Sequence, residues 1–484
     1  MVRFKRSKGA SILAATTLAA ELIGAGRARA RSRRLQFIAL LMLALCGCAY
    51  TLAHDGTVNQ TKAQEIEAGI QRFRGLDFTA SVPLVLKTRD QALEMMRKEI
   101  ARDHTEDEMR IGSLSGAMTG VYPAGMDLKS ETMKLLHSQI AGFYEPHEKQ
   151  MVLVEGAVDV SLWSSAAGLI THRDRVGEML LAHELTHALQ DQHFHIEQMI
   201  DQVKNNDDRD LALKAVAEGD ATLAGYGYVV GKLDDAAIGS IVDRMEDLPR
   251  TFAAQSADAP LGLSAPMIFQ YADGVRFVAE AYRRGGWTAV NAIYADPPRA
   301  TLQIMHPELY FEHRAPLVDI DLVGYQNVLK DWSNADDDTY GAMLIKLIIQ
   351  RNLQRNLGMT VPETALADRW SGDRMIVLQK DHALTVLWIV AFRDNDSATH
   401  FGATYAAILD KISGPDMAHR VQAKASNVLI AIGGGARQFE RLAPAIWRAS
   451  TITQAAPTRA QAVKVLRPAV IKPCCTTSPV AQAN

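Results

Sequence analysis

Eleven residues, Leu180-Leu-Ala-His-Glu-Leu-Thr-His-Ala-Leu-Gln190, constrain this chain more than any other feature. They are strongly helix-forming. A helix turns about 100° per residue, so His183 and His187 stand on one face, one turn apart. Met179, Leu180, Leu181, Leu185, Ala188 and Leu189 make the other sides apolar, which assigns the segment to the interior. Two unpartnered imidazoles and a carboxylate cannot be buried there without a large desolvation cost. The spacing therefore predicts a helix over about 173–193 whose imidazole nitrogens meet a divalent ion, Zn²⁺ (zinc), at ~2.0–2.1 Å. Glu184 follows the first histidine and points beside that ion, where it can take a proton from bound water.

A third ligand is required, and two residues compete for the place. His193 lies ten residues after His183. A chain using that spacing needs glycine to turn back toward the ion, and Gln190 stands there instead. Without the turn, the helix carries His193 about 9 Å beyond His187. The favoured candidate is Glu218, in Ala215-Val-Ala-Glu-Gly-Asp-Ala-Thr222, on the next expected helix over about 211–225. Gly219 would let that helix come close, and Asp220 could orient a ligand imidazole. The competing reading of Glu218 and Asp220 is a plain acidic helix face. Three ligands leave one position for water, whose pKa zinc lowers toward ~7. Glu184 would accept its proton and pass it to a leaving amine, which is amide hydrolysis. The developing oxyanion needs a further donor. His306, in Thr301-Leu-Gln-Ile-Met-His-Pro-Glu-Leu-Tyr310, is the first choice, with Tyr310 or Tyr144 behind it. His306 is equally well read as a helix-terminal residue before Pro307. His193, His195 and His313 read as surface or structural.

The formal charge of −3 conceals an asymmetry: residues 1–47 carry nine Lys/Arg and one acid, Glu21, which leaves −11 for the remainder. An acidic remainder argues against nucleic acid as a partner. The apolar run 35–45 is too short to span ~30 Å of hydrocarbon but suits a signal-peptide core. It ends in Leu45-Cys46-Gly47-Cys48-Ala49, which resembles the lipobox of bacterial lipoproteins, with small Gly47 before the acylated Cys48. Residues 1–47 are then a signal peptide with a long basic start, and 48–64 a tether. The chain is expected to be lipid-anchored to a membrane and to face an extracytoplasmic space, at the outer membrane or the periplasmic face. Cys474 and Cys475 are adjacent, so a disulfide between them would be strained. The cysteine-free middle can build no cysteine-based zinc site.

With 48% hydrophobic and 22% charged residues the composition is globular. Residues 80–87 are β-like, and 88–109 read as a helix capped by Thr88 and Asp90. Residues 142–155, with Pro146 at the turn, read as a hairpin. Beyond residue 235 the pattern is predominantly helical. It is punctuated by Gly285-Gly-Trp, Asp296-Pro-Pro298 and His306-Pro307, and interrupted by paired strands around 375–378 and 383–391.

Several blocks give the chain a family resemblance. They are Phe73-Arg-Gly-Leu-Asp-Phe78, Ala141-Gly-Phe-Tyr-Glu-Pro146, Leu181-Ala-His-Glu-Leu-Thr-His-Ala-Leu-Gln-Asp-Gln-His-Phe194, Ala217-Glu-Gly-Asp-Ala221, Gly285-Gly-Trp, 297–310 and Trp370-Ser-Gly-Asp-Arg374. With these the chain resembles bacterial secreted or lipoprotein-anchored zinc metallopeptidases of the gluzincin type, over most of 70–410. The His-Glu block extended to Phe194 is highly specific; the others are individually weak. The resemblance implies ligands His183, His187 and Glu218, Glu184 as base, and a peptide or protein substrate. One departure is Leu302, in Ala300-Thr-Leu-Gln303, where the family pattern has glutamate. The expected fold is α+β, mainly α. It comprises a zincin-like core over 65–235 with a small mixed sheet and two metal-bearing helices. A largely helical second part over 236–450 would complete the cleft, ahead of a flexible tail, 451–484. Two other classes share the ligand set: a zinc-binding, non-proteolytic envelope assembly or chaperone-like protein, and a cell-wall amide hydrolase.

Overall fold

Asn59 accepts a hydrogen bond from the Lys62 N–H and opens α1 (Gln60–Arg74), which closes where Gly75 turns left-handed. The computed structural model describes residues 52–54, 57–155, 175–255, 259–353, 362–415 and 417–455. The expected signal peptide, Cys48, Cys474 and Cys475 lie outside them. The tether expected over 48–64 needs correction. Leu52 is buried, Ala53–His54 pairs antiparallel with Thr57–Val58, and α1 begins within that segment. Thr88 does cap a helix, α2 (Arg89–Asp103), in a reciprocal capping box with Gln91. A second capping box, Thr105 with Glu108, then starts α3 (Glu106–Thr119), so the single helix expected over 88–109 is two.

Beyond α4 (Leu128–Gln139) the expected hairpin forms from β2 (Gly142–Glu145) and β3 (Gln150–Val154). β1 (Leu84–Lys87) pairs in parallel with β3, which gives a small mixed sheet of order β1-β3-β2. Met151 and Leu153 of this sheet pack on Leu181, Ala182 and Leu185 of α5 (Arg175–Phe194), and Ile66 and Ile70 of α1 close the cluster. On its other side α5 meets α6 (Asp207–Val230). Their backbones approach so closely at Gly225 that a Cβ there would fall 2.9 Å from the Met179 carbonyl oxygen. Gly219, expected to serve that approach, faces the other way: its Cβ would fall 2.3 Å from the Gly274 carbonyl oxygen. That second approach brings in α9 (Leu261–Ala295), which follows α7 (Asp235–Glu246) and α8 (Leu248–Gln255). α9 is broken at Gly285 and Gly286; Gly286, at φ +62°, occupies the left-handed region that favours glycine.

Beyond about residue 315 the helices Gly341–Leu353, Asn395–Ile412 and Phe439–Ala449 share the second part with more sheet than the one strand pair expected. β5 (Ser333–Asp338), β6 (Trp370–Lys380), β7 (Ala383–Phe392), β8 (His419–Lys424) and β9 (Asn427–Gly433) form an antiparallel sheet of order β8-β9-β7-β6-β5. β6 and β7 are the strand pair read from sequence. A further ladder joins β4 (Val318–Asp321) to β10 (Thr451–Gln454), so the segment taken as a tail from residue 451 starts as a strand. The sheet is buried on both faces. Val377, Trp388, Val390 and Ile430 join the helices through Phe277 and Tyr405; Leu378, Leu387, Ile389 and Leu429 lie under Leu442 and Ile446 of α12 (Phe439–Ala449). Burial on both faces is why β6 and β7 read as continuous apolar runs rather than as alternating ones. One core cluster contains Leu211, Phe277 and Trp388, so the packing does not break at residue 235. The whole is α+β and mainly helical. Among the described residues no helix is long and apolar enough to cross a membrane.

Candidate metal centre

α5 and α6 bring His183, His187 and Glu218 together, buried or half-buried. His183 Nε2 lies 3.2 Å from His187 Nε2 and 3.2 Å from Glu218 Oε2, and His187 Nε2 lies 3.5 Å from the same oxygen. Ligands ~2.0–2.1 Å from a tetrahedral ion are separated from one another by about 3.3–3.4 Å. The three edges bracket that value, so the donor set fits a small divalent ion. With protein groups alone around them, the three perturb one another strongly. Burial pushes His187 down, but Glu218, Glu184 and Gln190 together outweigh it and lift the imidazole to about 10. Burial likewise opposes the Glu218 charge, and His187 and His183 together hold that carboxyl far below the usual range.

Glu184 lies beside this triangle, buried, with its Oε2 accepting the Tyr144 backbone N–H at 3.1 Å. Tyr144 belongs to β2, an edge strand of the small sheet, so the sheet aims the carboxylate. Burial raises the Glu184 pKa, against the pull of His183 and His187. Tyr271 of α9 completes the wall. Its ring stacks on His183, centroids 6.1 Å apart and planes 22° apart, which sets it beside the ligand set. Burial, then the charges of Glu218 and Glu184, push the phenol well above its ordinary pKa, which keeps it a donor.

Other expected residues fall elsewhere. Asp220 touches neither imidazole: it pairs with buried Arg74 and accepts hydrogen bonds from Gln190 and Tyr294, since its helix turns it behind the site. His306 pairs with Asp368 at 2.8 Å, with Glu308 3.6 Å away. The Tyr310 hydroxyl donates to the Asp296 carbonyl, and the Tyr144 hydroxyl to Asp191. His193 Nε2 lies 2.7 Å from the Asp77 carbonyl oxygen, away from the ligands. Leu302, the departure from the family pattern, is fully buried packing. A second acidic group, Glu99, Glu145 and His147, is already satisfied: Glu145 accepts the His147 and Glu148 N–H groups and Glu99 pairs with Arg102 and His147.

Tyr271 and Tyr294 were not singled out from the sequence. They lie 23 positions apart on α9, about 34 Å on a straight helix. Yet Tyr271 stacks on His183, the partner of Glu218, and Tyr294 bonds Asp220, two residues from Glu218 on α6. The break at Gly286 makes this possible, and Gly285-Gly-Trp was the one signal of it. Comparisons of the chain with protein-family models, with curated proteins and with solved structures found no match.

Proposed function

We propose that this chain is a zinc-dependent peptidase with a zincin-like core of the gluzincin type, exported and lipid-anchored through Cys48. Its ligands are His183, His187 and Glu218, and Glu184 is its general base. The observation carrying this reading is the ligand triangle of 3.2, 3.2 and 3.5 Å with a buried carboxylate aimed beside it. The export and anchoring part rests on the sequence of 35–49 alone. Zinc bound there supplies a Lewis acid for a carbonyl oxygen and lowers the pKa of a water to ~7.

The protein's own groups do the rest. Glu184 takes a proton from the attacking water, and its raised pKa suits handing that proton to the departing amine. The Tyr271 hydroxyl, which borders the ligand set and stays protonated, joins His306 as a candidate donor to the developing oxyanion. The outer edge of β2, where the Tyr144 N–H already serves Glu184, can offer its other backbone groups to an extended peptide, a β-addition that lays the scissile bond along α5.

The test compares the wild-type chain with Glu184→Gln on an unfolded protein substrate, with zinc content measured for both. The wild type should cleave, the variant should lose about 10²–10⁴-fold in rate, and both should hold near one zinc per chain. A zinc-loaded wild type that cleaves neither unfolded protein nor a broad peptide library overturns the reading. Digestion of purified peptidoglycan instead would move the same centre to cell-wall amides.

A further inference from the structure

We propose that Gln190 is a positioning residue that sets the tautomer of His187, and that Arg74, Asp220 and Tyr294 hold Gln190 in the one orientation able to do so. This rests on the metal-centre part of the proposed function and is independent of proteolysis.

A carboxamide has a donor end and an acceptor end, and its partners decide which is which. Gln190 Nε2 lies 2.9 Å from the Ala217 carbonyl oxygen and 3.2 Å from Asp220 Oδ2. The carbonyl can only accept. Asp220 is clamped by Arg74, whose Nε donates to Oδ1 at 2.8 Å and Nη2 to Oδ2 at 3.0 Å, and the Tyr294 hydroxyl donates to Oδ2 at 2.8 Å. With three donors aimed at its two oxygens, this carboxyl serves as an acceptor. Flipping the Gln190 amide would set its oxygen against two acceptors. Its Oε1 must therefore face His187 Nδ1, 2.9 Å away, and Nδ1 must carry the hydrogen. A neutral imidazole protonated at Nδ1 keeps its lone pair on Nε2, the atom facing His183 and Glu218.

Arg74, Gln190 and Asp220 are all fully buried, and Trp287 covers the guanidinium at 4.4 Å, so water does not compete for these bonds. Among the described residues nothing equivalent serves His183: its Nδ1 meets the Thr222 hydroxyl at 3.5 Å, and a hydroxyl can donate or accept. The chain thus orients one ligand firmly, through four side chains from α1, α5, α6 and α9, and leaves the other to a weaker contact.

The experiment uses the purified full chain. ¹⁵N-histidine NMR of the zinc-loaded wild type should show His187 coordinated through Nε2 with a hydrogen on Nδ1. Chelator competition should show zinc binding weakened about 10–100-fold in Gln190→Met, with the melting temperature and circular dichroism of a folded chain. Coordination of wild-type His187 through Nδ1 overturns the proposal, as does unchanged zinc affinity in a folded Gln190→Met. Should that variant not fold, the wild-type tautomer decides alone. A wild type that binds no zinc overturns the metal centre and this proposal together. One that binds zinc through Nε2 yet cleaves nothing overturns only the peptidase.

Discussion

Asp220 and Asp373 are both buried carboxylates, and they serve different ends. Asp373, on β6, accepts four N–H bonds at 2.8–2.9 Å: from the Tyr340 and Gly341 backbones and from the indoles of Trp370 and Trp388. These donors tie the five-stranded sheet to the start of α10 (Gly341–Leu353), and the bonds lead on through the Tyr340 hydroxyl to Thr119 of α3. Asp220 is held as completely, but one of its donors, Gln190, passes the constraint on to His187 of the candidate metal centre. Burial of a charge is common to both. What separates a structural carboxylate from a positioning one is what its donors touch next.

The largest effects test that contrast directly. Asp373→Ala leaves four buried donors unpaired and should cost at least about 4 kcal/mol in urea unfolding, with the zinc affinity of the remaining folded chain unchanged. Asp220→Ala strands the buried Arg74 charge and should cost about 3–5 kcal/mol, but here zinc affinity should fall as well. Equal losses of zinc affinity in the two variants would break the comparison.

A smaller effect sharpens it through pH. Asp208 borders the Asp373 region, and burial pushes its carboxyl up to about 7 against the hydrogen bonds from Thr301. Its folded pKa thus stands above the unfolded value of ~3.9, so the folded chain binds the extra proton between them. That contribution to stability is complete below about pH 4 and is lost as pH rises through 7, by at most about 4 kcal/mol. Asp208→Asn should flatten this decline; urea midpoints from pH 4 to 8 that fall equally in both chains refute the assignment. The smallest effect concerns the other ligand. Thr222→Val removes only the 3.5 Å contact to His183 and should weaken zinc by no more than about fivefold, well short of Gln190→Met. Chelator competition on the two variants ranks them.

Much of the local structure could be read in advance: α5 with its histidine pair, the hairpin β2–β3, the Thr88 cap, and β6 with β7. Ser333-Asn-Ala-Asp-Asp-Asp338 could not, because nothing in it favours a strand; it is one only through its ladder to β6 at the sheet's edge. The polar stretch before Gln60 misled for the same reason, since its order comes from Leu52 entering a core built by distant residues.

The sequence by itself settled which residues share a helical turn, because periodicity is a local property and four positions are always one turn. It could name Glu218 as a third ligand only by weighing it against His193. Tertiary structure decided the rest: the approach of α6 at Gly225, the broken α9 that delivers Tyr271 to His183 and Tyr294 to Asp220, and the Arg74 charge arriving from 146 positions away to fix Asp220. Those contacts are chosen by how whole faces pack, and no short window of the chain contains that information.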